Sequence, residues 1–409
     1  MMANSRAGRP AGVSPKAAGS TTHSAWDEVV RILDDAVGPD HVSPAASLLV
    51  GRGDAVLFEH ATGATGPGAG DPPCTTDTIF DVASLTKPLV TAALAFQLIA
   101  RGRLSFDTRV TDVLPDFASH AEGGNDERRL AVTVRNLLHH DSGLPAHRRY
   151  FESFPPELPA SREEAARRRD RMFALALAEP LERDPRSSSV YSDIGFLVLG
   201  AMVEKIAGLR IDALAAEQIF GPLDAAEARF VDLADEPDDA FTLRCAATGA
   251  CDWRRTQIRG RVQDQNAYAM GGVATHAGLF ATARTIHRLA GEWTEAAAGR
   301  GRVLDRRVVS HAWDRAEPAA GAAPSPSSSW ALGWDTPTPG VSSAGSRIGP
   351  GAVGHLGYTG TSLWIDPSRS VHVVLLTNRI AYGTNADAIR ALRPRVHDAV
   401  FAALDRARD

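Results

Sequence analysis

Lysine is the scarcest charged residue in this chain. Lys16, Lys87 and Lys205 stand alone among 44 basic residues, and every other cation is arginine. Cysteine is equally sparse: Cys74, Cys245 and Cys251 are odd in number and not spaced like metal ligands. A disulfide framework and a zinc site are therefore excluded, and reduced thiols in the cytosol are expected. Cys245 and Cys251 are near enough to pair if the compartment were oxidising. No His/Asp/Glu cluster has metal-ligand spacing either, so no metal is expected. Charge of one sign is also missing. The net charge of -5 leaves no basic footprint for a nucleic acid or an anionic membrane. No hydrophobic run approaches the length of a membrane-spanning helix. The first 25 residues are rich in Ala, Gly, Ser, Arg and Pro and hold no apolar segment. They read as a disordered tail rather than a secretory signal, and a cytoplasmic protein is expected.

What is present is globular. At 44% hydrophobic and 23% charged over 409 residues, the chain has enough apolar surface for two sub-domains around sizeable cores. Residues 26–37 carry the period of an amphipathic helix. Residues 45–50 and 55–60 alternate as strands around Gly51-Arg52-Gly53-Asp54, a hairpin signal. Residues 353–355, 362–366 and 371–378 read as strands again, and 385–404 as a closing helix. Between these ends the signals are mostly helical, notably at 163–177 and 194–206. The charge run at 167–171 reads as a solvated helix face. Residues 208–262 show little period. The expected fold is α/β (α+β): an antiparallel sheet of about five or more strands, built from both termini and flanked by the terminal helices, with an inserted helical domain. The α/β part spans 26–105 and 270–409, and the mainly helical insertion 106–269.

The chain is organised around Asp81-Val82-Ala83-Ser84-Leu85-Thr86-Lys87-Pro88. A short β-like run enters it, and the apolar series Leu85, Leu89, Ala92, Ala93, Phe96, Ile99 leaves it as a helix. Ser84 and Lys87 then share a helix face. A serine hydroxyl beside a buried lysine is the S-x-x-K arrangement of an activated nucleophile. A serine at a helix start is also an ordinary N-cap. Against that reading, this arginine-rich chain keeps lysine here, the cation whose proton burial can remove. Pro88 conflicts with a plain helical turn. Further along, Tyr191-Ser192-Asp193 precedes an apolar helix, and His355-Leu356-Gly357-Tyr358-Thr359-Gly360 follows a strand. Singly, Tyr191 could be a packing residue, Asp193 a first-turn acid and His355 a structural histidine.

Taken in order, S-x-x-K, Y-S-D and H-x-G resemble the serine β-lactamase and penicillin-binding-protein superfamily, most closely its class C and esterase-like branch. The resemblance runs from about residue 45 to the closing helix. It is also carried by Ser142-Gly143-Leu144-Pro145 and by the stretch from Gly271-Gly272-Val273 to His276-Ala277-Gly278-Leu279-Phe280. It implies a β-lactamase/transpeptidase-like fold and a serine hydrolase that needs no cofactor. Ser84 would be the nucleophile, with Lys87 and Tyr191 moving its proton. The N–H groups of Ser84 and Tyr358 would hold the oxyanion, and His355, Gly357 and Asp193 would line the substrate site. His276 would line or support it.

Two departures bear on substrate. Where the family often has K-T-G, this chain has His355, largely neutral near pH 7. Where its second motif often ends in Asn, an ionised Asp193 can only accept hydrogen bonds and would hold Lys87 charged. Both favour a small neutral ester or amide over a lactam or D-alanyl peptide. The rivals are a D-alanyl-D-alanine carboxypeptidase or β-lactamase, and a non-catalytic sensor that keeps the fold.

Overall fold

Alternation and turn chemistry at the two ends of the chain build one sheet. β1 (Ala45–Arg52) and β2 (Ala55–Gly63) form an antiparallel hairpin, with Arg52 opposite Ala55 and a bulge at Val50/Gly51. Gly53 closes the turn at φ +53°, a conformation that favours glycine. From the other end come β3 (Val353–Leu356), β4 (Ser362–Asp366) and β5 (Val371–Thr377). The order is β2-β1-β5-β4-β3, antiparallel throughout, with Ala46 opposite Thr377 where the two ends meet. The computed structural model describes residues 24–38, 41–119, 126–235, 238–314, 329–383 and 385–407. Of the expected tail at residues 1–25, residues 1–23 lie outside the described residues.

The sheet separates two cores, as the period-two pleat dictates. Ala46, Leu48 and Val50 of β1, with Val371, Val373 and Leu375 of β5, face the terminal helices Asp27–Asp34 and Asp387–Arg406. Ala45, Leu49, Val374 and Leu376 face the larger core, which includes the helices Ala93–Ala100, Asp193–Ala207 and Ala283–Ala297. This mixed architecture is the expected one. Between residues 106 and 269 the regular elements are mainly helices, joined by long loops. It also carries a small hairpin, Ala250–Cys251 with Thr256–Gln257, and the strand Arg229–Phe230.

Two local expectations need correction, and the conflict at Pro88 is resolved by a special first turn. The helical run from Ala83 to Ala100 is 18 residues long with a mean hydropathy of 1.4, so one run does reach the length of a short membrane span. It is 83% buried inside the protein, which accounts for its apolarity. The run is not a plain helix: a 3-10 turn at Ala83–Leu85 opens into a π-helical turn at Lys87–Ala92 before the α-helix begins. Pro88 sits in that widened turn, where the ordinary ladder is already broken. Finally, the charge run on Arg162–Leu177 is only half solvated. Arg168 and Arg169 are buried, Arg168 against Glu164 and Arg169 in a fork with Glu204.

Candidate active site

The Ser84 segment is held by its own backbone geometry. Ala83 adopts φ +49°, unusual for a residue with a side chain. The Asp81 carboxylate stabilises this bend, accepting from the Ala83 N–H at 2.8 Å and from the Gln263 N–H at 2.7 Å. The Thr86 hydroxyl donates to the Ala83 carbonyl at 2.6 Å, and the Leu279 N–H donates to that hydroxyl at 3.1 Å. Burial pushes the Asp81 carboxyl up to about 6.

Lys87 is fully buried, and every donor of its ammonium is engaged. It donates to Ser84 Oγ at 3.0 Å, to the His276 carbonyl at 2.8 Å, and pairs with Asp193 Oδ1 at 2.7 Å. Burial pulls its pKa down, but Asp193 and Tyr191 outweigh burial and hold it above its ordinary value. Asp193 is the first residue of its helix, which Ser192 caps by accepting from the Gly195 N–H at 2.9 Å. Burial would raise the Asp193 carboxyl, yet Lys87 and His147 keep it well below the usual range. The His147 imidazole lies 3.3 Å from Asp193 Oδ2, and that contact raises its own pKa.

Tyr191 comes to the same point from the loop before that helix. Its ring lies 4.8 Å from that of His140, 5.4 Å from Trp330 and 5.8 Å from His355, between centroids. The Lys87 Nζ sits 4.9 Å from the centre of the tyrosine ring. The hydroxyl is buried and meets no hydrogen-bond partner among the described residues. Burial pushes its pKa up to about 12, against the pull of Lys87 and Ser84.

His355, on β3, points its Nδ1–H to the Leu356 carbonyl at 2.9 Å, which leaves Nε2 as an unpartnered lone pair. Burial first, then Lys87, lowers its pKa to about 3, so the ring is neutral near pH 7. Gly357 serves close packing. A Cβ there would overlap Thr361 Oγ1 and lie 2.7 Å from the Val82 carbonyl. Its N–H is spent on the Thr361 carbonyl at 2.8 Å, so it offers no donor to a substrate. The Tyr358 side chain is exposed, beside Arg379, and its N–H makes no hydrogen bond among the described residues. His276 supports the site through its carbonyl on Lys87, while its ring meets Asp264 at 3.0 Å.

Asp81, His140, His147, Asp264 and Trp330 belong to the site or its support and were not singled out as such from the sequence. His140 is buried at φ +56°, and its Nδ1 accepts from the Ser192 N–H at 3.1 Å. His140 and His147 bracket Ser142-Gly143-Leu144-Pro145, and that bracketing was the available signal. Among the described residues no group of three or more His, Cys, Asp or Glu side chains could hold a metal ion. The three cysteines are buried and free, with Cys245 and Cys251 unpaired.

A lysine-bonded serine, a buried tyrosine and a strand histidine at one point invite comparison with known proteins. Residues 27–395 match the family model described as Beta-lactamase. The chain belongs to the beta-lactamase family. Among its relatives, a putative D-alanyl-D-alanine carboxypeptidase of Escherichia coli (strain K12) is 28% identical over 359 residues, covering 82% of this chain and 78% of the relative. An N-acetylmuramyl-L-alanine amidase of Bacillus subtilis (strain 168) is 30% identical over 317 residues, covering 74% and 68%. Solved structures share the fold. EstCE1, described as a hydrolase with promiscuous acyltransferase activity, superposes with a TM-score of 0.68 at 20% identity, over 92% of this chain and 98% of its own. A penicillin-binding-protein homologue from Caulobacter crescentus does so with 0.68 at 20%, over 96% and 99%. This beta-lactamase-family chain is thus a member of the serine β-lactamase and penicillin-binding-protein superfamily of hydrolases.

Proposed function

We propose that this protein hydrolyses a small neutral ester or amide through an acyl-enzyme on Ser84. The observation that carries the reading is the Ser84–Lys87–Asp193 chain, with contacts of 3.0 and 2.7 Å, closed over by the unpartnered Tyr191 hydroxyl. Ser84 Oγ forms a bond to the substrate carbonyl carbon, and the carbonyl π electrons move to oxygen. The serine proton passes to the singly deprotonated form of the coupled Lys87–Tyr191 pair, which holds one proton fewer than the resting ammonium and phenol. With Lys87 held as an ammonium by Asp193, the phenol of Tyr191 is stabilised toward phenolate by the adjacent charge. The oxyanion rests on the N–H groups of Ser84 and Tyr358, a donor of this kind being worth about 3 kcal/mol of barrier. The oxyanion collapses, the bond to the leaving group breaks and that group takes the proton; water, giving a proton to Tyr191, then attacks the acyl carbon, and the acid leaves as Ser84 Oγ is reprotonated.

The walls support a neutral substrate. His140 and His355 are buried and uncharged near pH 7, Tyr191 and Trp330 are aromatic, and the ionised carboxylate of Asp193 is already committed. The names of the relatives favour a second reading, an amide bond in a cell-wall peptide. The proposal keeps the cytoplasmic location, in which the three buried thiols would stay reduced.

Intact-mass labelling with a fluorophosphonate tests the nucleophile. One adduct per chain, absent in Ser84→Ala, is expected. No adduct on folded protein would favour a non-catalytic binding role. A panel of neutral esters, amides, D-alanyl peptides and a carboxylate-bearing lactam then tests the substrate class. Efficient turnover of the lactam, lost on changing His355, would overturn the neutral-substrate reading.

A further inference from the structure

The C-terminal helix Asp387–Arg406 covers its face of the sheet with apolar side chains, and two polar ones are buried among them, Arg393 and His397. Arg393 is only 5% exposed. One of its nitrogens, Nη2, donates to two carbonyls of the β3–β4 hairpin, Gly357 O at 3.1 Å and Thr361 O at 2.8 Å. Among the described residues no carboxylate pairs with it, and the charges that act on it, Arg379 and Arg390, have its own sign. A buried cation without an anion is costly. Carbonyl dipoles alone offset only part of that cost, so the position points to a negative charge that arises elsewhere.

The Gly357 carbonyl and the Tyr358 N–H belong to one peptide unit. In a trans peptide these two groups point in opposite directions, and no peptide bond among the described residues is cis. A guanidinium on the carbonyl fixes the plane of that unit and polarises it, which strengthens the N–H on the far side as a donor. The hairpin is in turn bonded to the segment that carries the nucleophile. The Thr359 hydroxyl donates to the Asp81 carbonyl at 2.8 Å, and the Thr361 hydroxyl to the Val82 carbonyl at 3.1 Å.

We propose that Arg393 is a positioning residue for acyl transfer: it orients and polarises the Gly357–Tyr358 peptide so that the Tyr358 N–H meets the oxyanion formed on attack by Ser84. The buried guanidinium finds its counter-charge in that transient oxyanion, one peptide unit away. This inference rests on the acyl-enzyme reading and extends it to the opposite face of the hairpin.

The test compares wild type, Arg393→Met and Arg393→Lys in the full chain. The readouts are the rate of fluorophosphonate labelling, kcat and KM on a neutral ester, and the affinity of an arylboronic acid, which adds to Ser84 and places a hydroxyl where the oxyanion forms. Arg393→Met is expected to lower kcat about tenfold or more, to weaken the boronate by a similar factor, and to leave KM within about twofold. Arg393→Lys keeps the cation but not the reach, and should recover part of the loss. A folded Arg393→Met with wild-type kcat and boronate affinity would overturn the proposal. If Arg393→Met does not fold, Arg393→Lys decides: a wild-type kcat there would assign Arg393 to folding alone, and a lowered kcat at unchanged KM would support the proposal. Absence of label on the wild type would instead defeat the acyl-enzyme reading, and Arg393's role with it.

Discussion

Lys87 is surrounded by oxygen: a serine hydroxyl, a main-chain carbonyl and a carboxylate, all within 3.0 Å. Of these only Asp193 carries charge, and so it sets the protonation of its neighbours. Its anion raises both Lys87 and Tyr191. An Asp193→Asn variant keeps the shape and removes the charge. Lys87 and Tyr191 should then release their protons at lower pH, and the rise of acylation rate with pH should move down by about 1–2 units. The pH dependence of fluorophosphonate labelling measures this. An unchanged midpoint would mean that Asp193 has no hold on the proton-transfer pair. His147, its raised pKa owed first to Asp193, should fall back toward the ordinary imidazole range in the same variant, which proton NMR of the ring can follow.

Among the elements, the β3–β4 hairpin sets the geometry of the site, because it touches both the Ser84 segment and the C-terminal helix. Gly357 is the point of closest approach, with no room for a methyl group beside Thr361 and Val82. Gly357→Ala should push the hairpin off the Ser84 segment. A loss of about 100-fold in kcat is expected, the scale of one misplaced oxyanion donor. Thermal unfolding should show only a modest drop, since the strands themselves keep their pairing. A kcat near wild type would show that the hairpin can yield without moving Tyr358. The strands of this hairpin were legible in the sequence because period-two alternation is local, as were Ser84 and Lys87, one helical turn apart. Asp81 was passed over because its carboxylate works on Gln263, 182 residues away, and no local pattern encodes that contact. Arg168 folds back on Glu164 of its own helix, but Arg169 departs from the expected solvent for a related reason. A charge run predicts solvent only until another helix brings Glu204 against it. His140 and His147 carry no period at all, and only the fold of their loop turns them toward Tyr191 and Asp193.

Over the whole molecule, the sheet drawn from both ends of the chain leaves neutral histidines sealed on both sides of it. His355, His372 and His397 are fully buried, and burial is the main cause that lowers each to about 3. Burial also holds His140 well below the ordinary imidazole range. In the unfolded chain each would titrate near 6.5. Above that value neither state holds the proton and the groups are neutral to stability. As pH falls below it, the unfolded chain binds protons that the native state refuses, and stability drains until the folded pKa is reached. Each pH unit in that window is worth about 1.4 kcal/mol per group. Asp81 opposes them: its folded pKa near 6 lets the native state take up a proton before the unfolded chain does. The histidines outnumber it, so the urea midpoint should be lower at pH 5 than at pH 7.5, by the equivalent of about 2 kcal/mol or more. His397 has no hydrogen bond at either ring nitrogen among the described residues, so replacing it costs no polar contact. His397→Leu should therefore flatten the pH dependence while keeping activity. Equal midpoints at the two pH values would mean that these imidazoles accept protons in the native state as readily as in the unfolded chain, and that the interior around the sheet admits water.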